Sequence, residues 1–211
     1  QLLLQTLAEI ESRFGGEHSL YSVFLESLAA IYSGTGQADK ALELADAILV
    51  VTKTARGRAS ALNTIGGALE RQGKTEEAIE RWEQAFNELD TPSSSESYIG
   101  DLYGLKGLIA YNLGYAYSKV GQYKKASVML SLSLMLNMQM SPSGNLSTVR
   151  IYSLLADLEH ALGRLDEALT YRESATQLIQ RLLLLQLDSH DQAAYARIRE
   201  KWGHTFIRHV D

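Results

Sequence analysis

Apolar residues recur at three- and four-residue spacing along almost the whole chain, interrupted by only two prolines, Pro92 and Pro142, in the serine-rich stretches DTPSSSES and MSPSGN. This spacing gathers apolar side chains on one face of an α-helix, and proline among serines marks where a helix stops. The pattern therefore predicts an all-α chain. Four stretches can be laid over one another: LESLAAIYSGTGQADKALELADAIL, LNTIGGALERQGKTEEAIERWEQAF, AYNLGYAYSKVGQYKKASVMLSLSL and YSLLADLEHALGRLDEALTYRESAT. Each reads as helix, short turn, helix. The turns hold Gly36, Gly73, Gly121 and Gly163, and five residues after each comes Ala41, Ala78, Ala126 or Ala168; both series step by 37, 48 and 42 residues.

The spacing has a physical reading. A glycine where the first helix ends takes positive φ, which a Cβ resists, so the chain can reverse sharply. The alanines after the turn, with Ala29, Gly66, Gly114 and Ala156 on the first helices, leave room for paired helices to approach closely. Asp39, Glu76 and the pair Asp166 and Glu167 put negative charge in the first turn of the second helix, where its dipole favours it. The third unit has Lys124 and Lys125 there instead.

This arrangement resembles the tetratricopeptide repeat family. The family's signature reads best in the third unit, as Ala110, Leu113-Gly114, Tyr117 and Ala126, and again in the second as Leu62, Ile65-Gly66, Leu69, Ala78 and Trp82. The resemblance covers residues 22 to 180, and the steps exceed the usual period of about 34 residues, so the chain reads as a longer-period variant. Glu159 and Arg172 stand where the pattern wants apolar residues, which makes the fourth unit the weakest match.

The resemblance implies a right-handed α-solenoid in which each repeat buries its apolar face only against its neighbours. The expected organisation is one domain over 1–211, with repeats at 19–50, 57–90, 96–140 and 145–188. An N-terminal helix at 1–14 carries Leu3, Leu7, Ile10 and Phe14 on one face. A C-terminal capping helix at 189–211 carries Tyr195, Ile198, Trp202 and Phe206. A chain beginning at Gln1, inside what reads as a helix, is expected to be a piece of a larger protein.

Composition narrows the field of functions. The 211 residues carry a formal charge of −5 with no lysine or arginine block, so no nucleic-acid partner is expected. Without cysteine the chain has no disulfide, thiolate nucleophile or cysteine zinc site, which fits a reducing compartment and an expected cytoplasmic location. The longest apolar run, Leu182 to Leu185, is far too short to span a bilayer, so membrane insertion is not expected.

Chemical motifs resolve to bland readings. ALERQGKT, Ala68 to Thr75, satisfies a relaxed phosphate-loop pattern, but a phosphate loop follows a strand and these residues continue a helix. His18, His160, His190, His204 and His209 lack metal-ligand spacing, and no serine sits in a Gly-x-Ser-x-Gly elbow. No catalytic, cofactor-binding or metal-ligating residue is expected, and the chain reads as non-enzymatic.

Binding residues follow from helical geometry together with the resemblance. At about 100° per residue, Ala110, Leu113, Gly114 and Tyr117 share one face, whereas Tyr111 and Tyr115 point elsewhere. Tyr117, and Tyr123 after the turn, are expected to pack. In the resembled family the first helix of each repeat lines a concave groove. That implies a groove formed by Glu26, Asn63, Thr64, Tyr111, Asn112, Tyr115, Arg150, Ser153, Asp157 and His160. The alternative is that both exposed-face tyrosines pack on a neighbouring helix. The expected function is a non-catalytic adaptor or scaffold that holds a protein or peptide segment in the groove, with homo-oligomerisation left open. Two alternatives stand beside it: the ligand- or peptide-sensing part of a larger regulator, and a secretion chaperone or an enzyme without a recognised motif. Glu26 stands where the carboxylate-gripping co-chaperone subgroup has its first lysine, so that activity is not implied.

Overall fold

The computed structural model describes Ser12 and residues 19–52, 54–90 and 99–188. Eight helices follow one another there with no strand among the described residues: α1 Ser19–Gly34, α2 Ala38–Val51, α3 Ala55–Arg71, α4 Thr75–Glu88, α5 Ile99–Lys119, α6 Tyr123–Met140, α7 Leu146–Ala161 and α8 Leu165–Asp188. They pair as α1/α2, α3/α4, α5/α6 and α7/α8. The expected helices at 1–14, Ser12 aside, and at 189–211 lie outside the described residues.

Each pair is closed by the same local device. Gly36, Gly73, Gly121 and Gly163 have φ of 78°, 79°, 75° and 76°. The next residue's N–H reaches back five positions, Gln37 to Tyr32, Lys74 to Leu69, Gln122 to Tyr117 and Arg164 to Glu159, at 2.8–3.0 Å. This is a Schellman closure, in which a left-handed residue lets a trailing N–H satisfy a carbonyl that the helix end leaves orphaned. Lys74 of the phosphate-loop lookalike is thus the last of three residues between two helices, with α3 rather than a strand before it.

Small residues then set the distance between paired helices. A Cβ on Gly66 would lie 2.6 Å from the Trp82 indole nitrogen, and one on Gly114 would lie 2.6 Å from Leu130 Cγ. Trp82 and Leu130 each follow the turn alanine by one helical turn, so a large side chain on the second helix fills the notch left by glycine on the first. Ala41, Ala78 and Ala126 are wholly buried, and Ala168 nearly so.

The uneven repeat lengths have two sources. Between Gly36 and Gly73 lie helices of 14 and 17 residues, whereas between Gly73 and Gly121 lie helices of 14 and 21 residues joined by the segment that holds Pro92. Between Gly121 and Gly163 the helices have 18 and 16 residues. The start of α7 is fixed by a capping box in which Asn145 Oδ1 accepts from the N–H groups of Ser147 and Thr148 while Thr148 Oγ1 accepts from Asn145 N–H.

Stacking gives the chain its curvature. Successive first helices touch, α1 with α3, α3 with α5 and α5 with α7, and each second helix packs on the first helix of the next pair. Among the described residues no two second helices meet. The layer whose members lie close together is the inner one, so α1, α3, α5 and α7 form the concave face. One apolar core runs from Leu25 to Leu158 through these layers, and a smaller cluster of Val149, Ala175, Leu178 and Ile179 closes the last pair.

The slot between repeats is filled differently each time. Tyr117 of α5 is 4% exposed, and its hydroxyl donates to Glu83 of α4. The equivalent Glu159 of α7 is 5% exposed and holds Arg164, with Ser127 Oγ of α6 donating to it at 3.4 Å. Arg172 pairs with Asp157 at 3.4 Å. The fourth unit therefore closes with ion pairs where the pattern wants apolar contacts. Tyr123 corrects its expectation: it is 37% exposed, because as the first residue of α6 it lies in a solvated turn with Gln122, Lys124 and Lys125.

Candidate functional site

On the inner face, polar side chains bridge successive first helices. Glu26 of α1 accepts from Arg56 at 3.3 Å and from Ser60 at 3.2 Å, both on α3, and Arg71 of α3 donates to Ser33 of α1 at 2.6 Å. Between α3 and α5, Asn112 Nδ2 donates to Asn63 Oδ1 at 2.9 Å, and Lys119 pairs with Glu70. These contacts form rungs across the concave surface. They add directional contacts to the apolar packing that sets the register of one repeat on the next.

The rungs leave some groups with nothing to bind. Asn63 uses Oδ1 for Asn112 and its backbone carbonyl for Trp82 Nε1 at 3.1 Å, so its amide Nδ2 has no partner among the described residues. Asn112 Oδ1 is likewise unpartnered there. Glu70 has one oxygen on Lys119 and the other, Oε2, buried without a hydrogen bond. An orphaned acceptor costs the free energy of its lost hydration, about 1–3 kcal/mol, unless an incoming donor restores it.

Burial and charge tune the titrating members. Burial pushes the Glu26 carboxyl above the usual carboxylate range, against the opposing pull of Arg56 and Ser60. Tyr111 is pushed up by burial too, with nearby Arg150 pulling the other way. The hydrogen bond to Glu70 holds Lys119 above the ordinary lysine value.

The structure treats the expected groove residues unequally. Asn63 and Asn112 meet directly, and Tyr111 and Arg150 line one cavity between α5 and α7. Tyr115 is 39% exposed, with Lys119 Nζ 5.7 Å from its ring centre, whereas Tyr111 is half-buried and packs against the core. Thr64 and Ser153 spend their hydroxyls inside their own helices, on the carbonyls of Ser60 and Val149, each at 3.1 Å. Asp157 is occupied by Arg172 of α8, and His160 is exposed near the end of α7. The sequence reading missed Arg56, Ser60, Arg71 and Lys119. Arg56 and Ser60 precede Asn63 by seven and three residues, so following its helical face backwards would have found them.

Among the described residues no helix is long and apolar enough to cross a membrane, and no three metal-ligating side chains converge.

Residues 107–137, spanning α5 and α6, match the family model described as tetratricopeptide repeat. No curated protein matches the chain. The apo form of RapI superimposes with a TM-score of 0.65 at 19% identity, covering 96% of this chain and 70% of that one. BtubC (BKLC) from P. vanneervenii gives 0.63 at 14% identity, covering 99% and 92%. The nearly identical TPR-like repeats of a putative kinesin light chain from Podosopora anserina give 0.53 at 19% identity, covering 85% and 86%. In the sequence of its third repeat and in the fold of its four helix pairs, the chain is similar to tetratricopeptide repeat proteins.

Proposed function

We propose that this chain is a non-catalytic interaction module, an adaptor or scaffold, that holds an extended peptide or partner segment along the concave face of α1, α3, α5 and α7. The observation that carries this reading is the Asn63 and Asn112 pair. The amide–amide hydrogen bond pins both side chains across the α3/α5 boundary and leaves one N–H₂ group and one carbonyl unpartnered. A peptide backbone offers the complement, a C=O for Asn63 and an N–H for Asn112. Because the two groups are already held in place, little side-chain entropy is lost when they bind. Tyr115 supplies an exposed ring three residues after Asn112 on the same helix. A cysteine-free chain suits a reducing compartment, and a cytoplasmic location goes with this reading.

Peptides selected from a random display library on the full chain test the proposal. They are expected to lose at least tenfold in affinity, about 1.4 kcal/mol, on Asn63→Ala or Asn112→Ala. Selected peptides that bind the double variant as tightly as the parent chain would overturn it.

A further inference from the structure

The second helices form the outer, convex layer, and one of them breaks the pattern of the other three. Counted from the turn alanine, three positions are exposed in every repeat: two residues before it, two after it and nine after it. In α4 these are Glu76, Glu80 and Asn87, and in α8 they are Asp166, Thr170 and Gln177. In α2 they are Asp39, Glu43 and, in the last turn, Val50. In α6 they are Lys124, Val128 and Met135. Val128 is 61% and Met135 51% exposed, and half-buried Leu132 lies between them on the same side of the helix.

Neither the charge nor the apolar stripe serves the fold. The first turn of a helix favours acids, and three second helices have them there, whereas α6 has Lys124 and Lys125. Lys125 Nζ lies 5.0 Å from the Tyr117 ring centre, but Lys124 has no ion pair or hydrogen bond among the described residues. A helix that is apolar on its solvent side as well as its core side is one that something else covers. The stripe also leads somewhere. Three residues after Met135, Met138 lines a cavity of about 440 Å³ with Pro142, Tyr152 of α7 and Leu178 of α8. The cavity opens where α6 and α8 do not meet.

We infer that the outer face of α6 is a second docking surface, distinct from the concave groove, and that it takes an amphipathic helix of a partner protein. The partner helix sets an acidic turn on Lys124 and Lys125 and apolar side chains on Val128, Leu132 and Met135, and it inserts a large apolar anchor beside Met138. From Lys124 to Met138 is about 21 Å of helix, which a partner helix of about four turns spans. Methionines suit such a surface because their unbranched side chains adapt to the side chains laid on them. Charge selects this occupant over two others. An anionic bilayer laid on α6 would also meet the exposed acids of both flanking helices, Glu76, Glu77 and Glu80 on α4 and Asp166, Glu167 and Glu173 on α8. A second copy presenting its own α6 would bring no acid to the lysines, since that helix has none.

The test is a phage library of 20-residue helical peptides, randomised along one face and panned on the full chain. Selected clones are expected to carry an acidic residue toward one end of that face and apolar residues at three- and four-residue spacing beyond it. They should lose at least tenfold in affinity on Lys124→Glu and on Val128→Glu combined with Met135→Glu. Replacing the clone's acid by lysine should restore binding to Lys124→Glu. All three substitutions are at exposed positions, and Lys124→Glu recreates the acidic first turn of α4 and α8, so melting temperatures should not fall. Affinity should be unchanged by Asn63→Ala and Asn112→Ala, which makes the result independent of the groove reading. The inference is overturned if no clone binds, if clones ignore the α6 variants, or if they depend on the two asparagines. It is equally overturned if the double glutamate variant abolishes binding to vesicles of phosphatidylcholine and phosphatidylserine, which assigns the face to a membrane. Self-association of the parent chain that the same variant abolishes, seen by sedimentation, would assign it to a second copy instead.

Discussion

The Tyr117 hydroxyl on α5 donates to the Glu83 carboxylate on α4, so a single side chain fills the core between the second and third repeats and also hydrogen-bonds across their boundary. The two functions can be separated by substitution. Tyr117→Ala leaves a cavity and is expected to cost about 3–5 kcal/mol in denaturant melts. Tyr117→Phe keeps the ring and deprives Glu83 of its donor, costing about 1–2 kcal/mol. Burial and the adjacent carboxylate hold the phenol above its ordinary value of 10.0. A phenol raised in the folded state stabilises fully below its unfolded pKa and loses that contribution as pH rises above it. The stability gap between the parent chain and Tyr117→Phe should therefore be level up to about pH 10 and narrow beyond it.

Three glycines inside α3 and α5 give opposite expectations. Gly66→Ala and Gly114→Ala place a methyl group against Trp82 and Leu130 and are expected to destabilise by about 1–3 kcal/mol through overpacking. Gly104→Ala points into open space and removes backbone freedom from the unfolded chain, so it should stabilise by about 0.5–1 kcal/mol. Thermal melts of the three variants decide. Loss of stability at Gly104 equal to that at Gly66 would refute the packing account.

Glu26 is a rung that carries a desolvation cost. Its carboxyl is raised by burial more than Arg56 and Ser60 lower it, so the ionised form is less favourable in the folded chain than in the unfolded one. Glu26→Gln keeps an acceptor for both partners and removes the charge. It is expected to raise the melting temperature at pH 7, with the advantage shrinking as pH falls through the carboxylate range and the parent side chain becomes protonated. Melts across pH 3.5 to 7 measure this, and a variant that is less stable at pH 7 would show that the Arg56 pair outweighs burial.

Tyr111 and Tyr115 part company in the structure. Tyr115→Ala, at an exposed ring, should cost about 1 kcal/mol or less in stability, yet weaken a groove-bound peptide by about 2 kcal/mol if the ring is an anchor. Tyr111 packs against the core, so Tyr111→Ala is expected to cost about 1–3 kcal/mol in stability before any partner is added. Denaturant melts, followed by binding of the selected peptides, separate the two effects.

The sequence by itself determined the repeats. Turn glycines, the alanines five residues on and the periodic apolar face are local requirements: positive φ, close helix approach and burial act within one helix pair, so their signals recur along the chain. The same locality explains the failure at Tyr123, where periodicity gives a direction but not whether a neighbour stands there. What only the tertiary structure decided is everything that crosses from one repeat to the next. Glu26 with Arg56, Asn63 with Asn112, Tyr117 with Glu83 and the cavity that joins Gly104 and Asn137 to Arg150 depend on the register of stacked helices. That register is set by many apolar contacts acting together, among residues tens of positions apart, and no short stretch of sequence carries it.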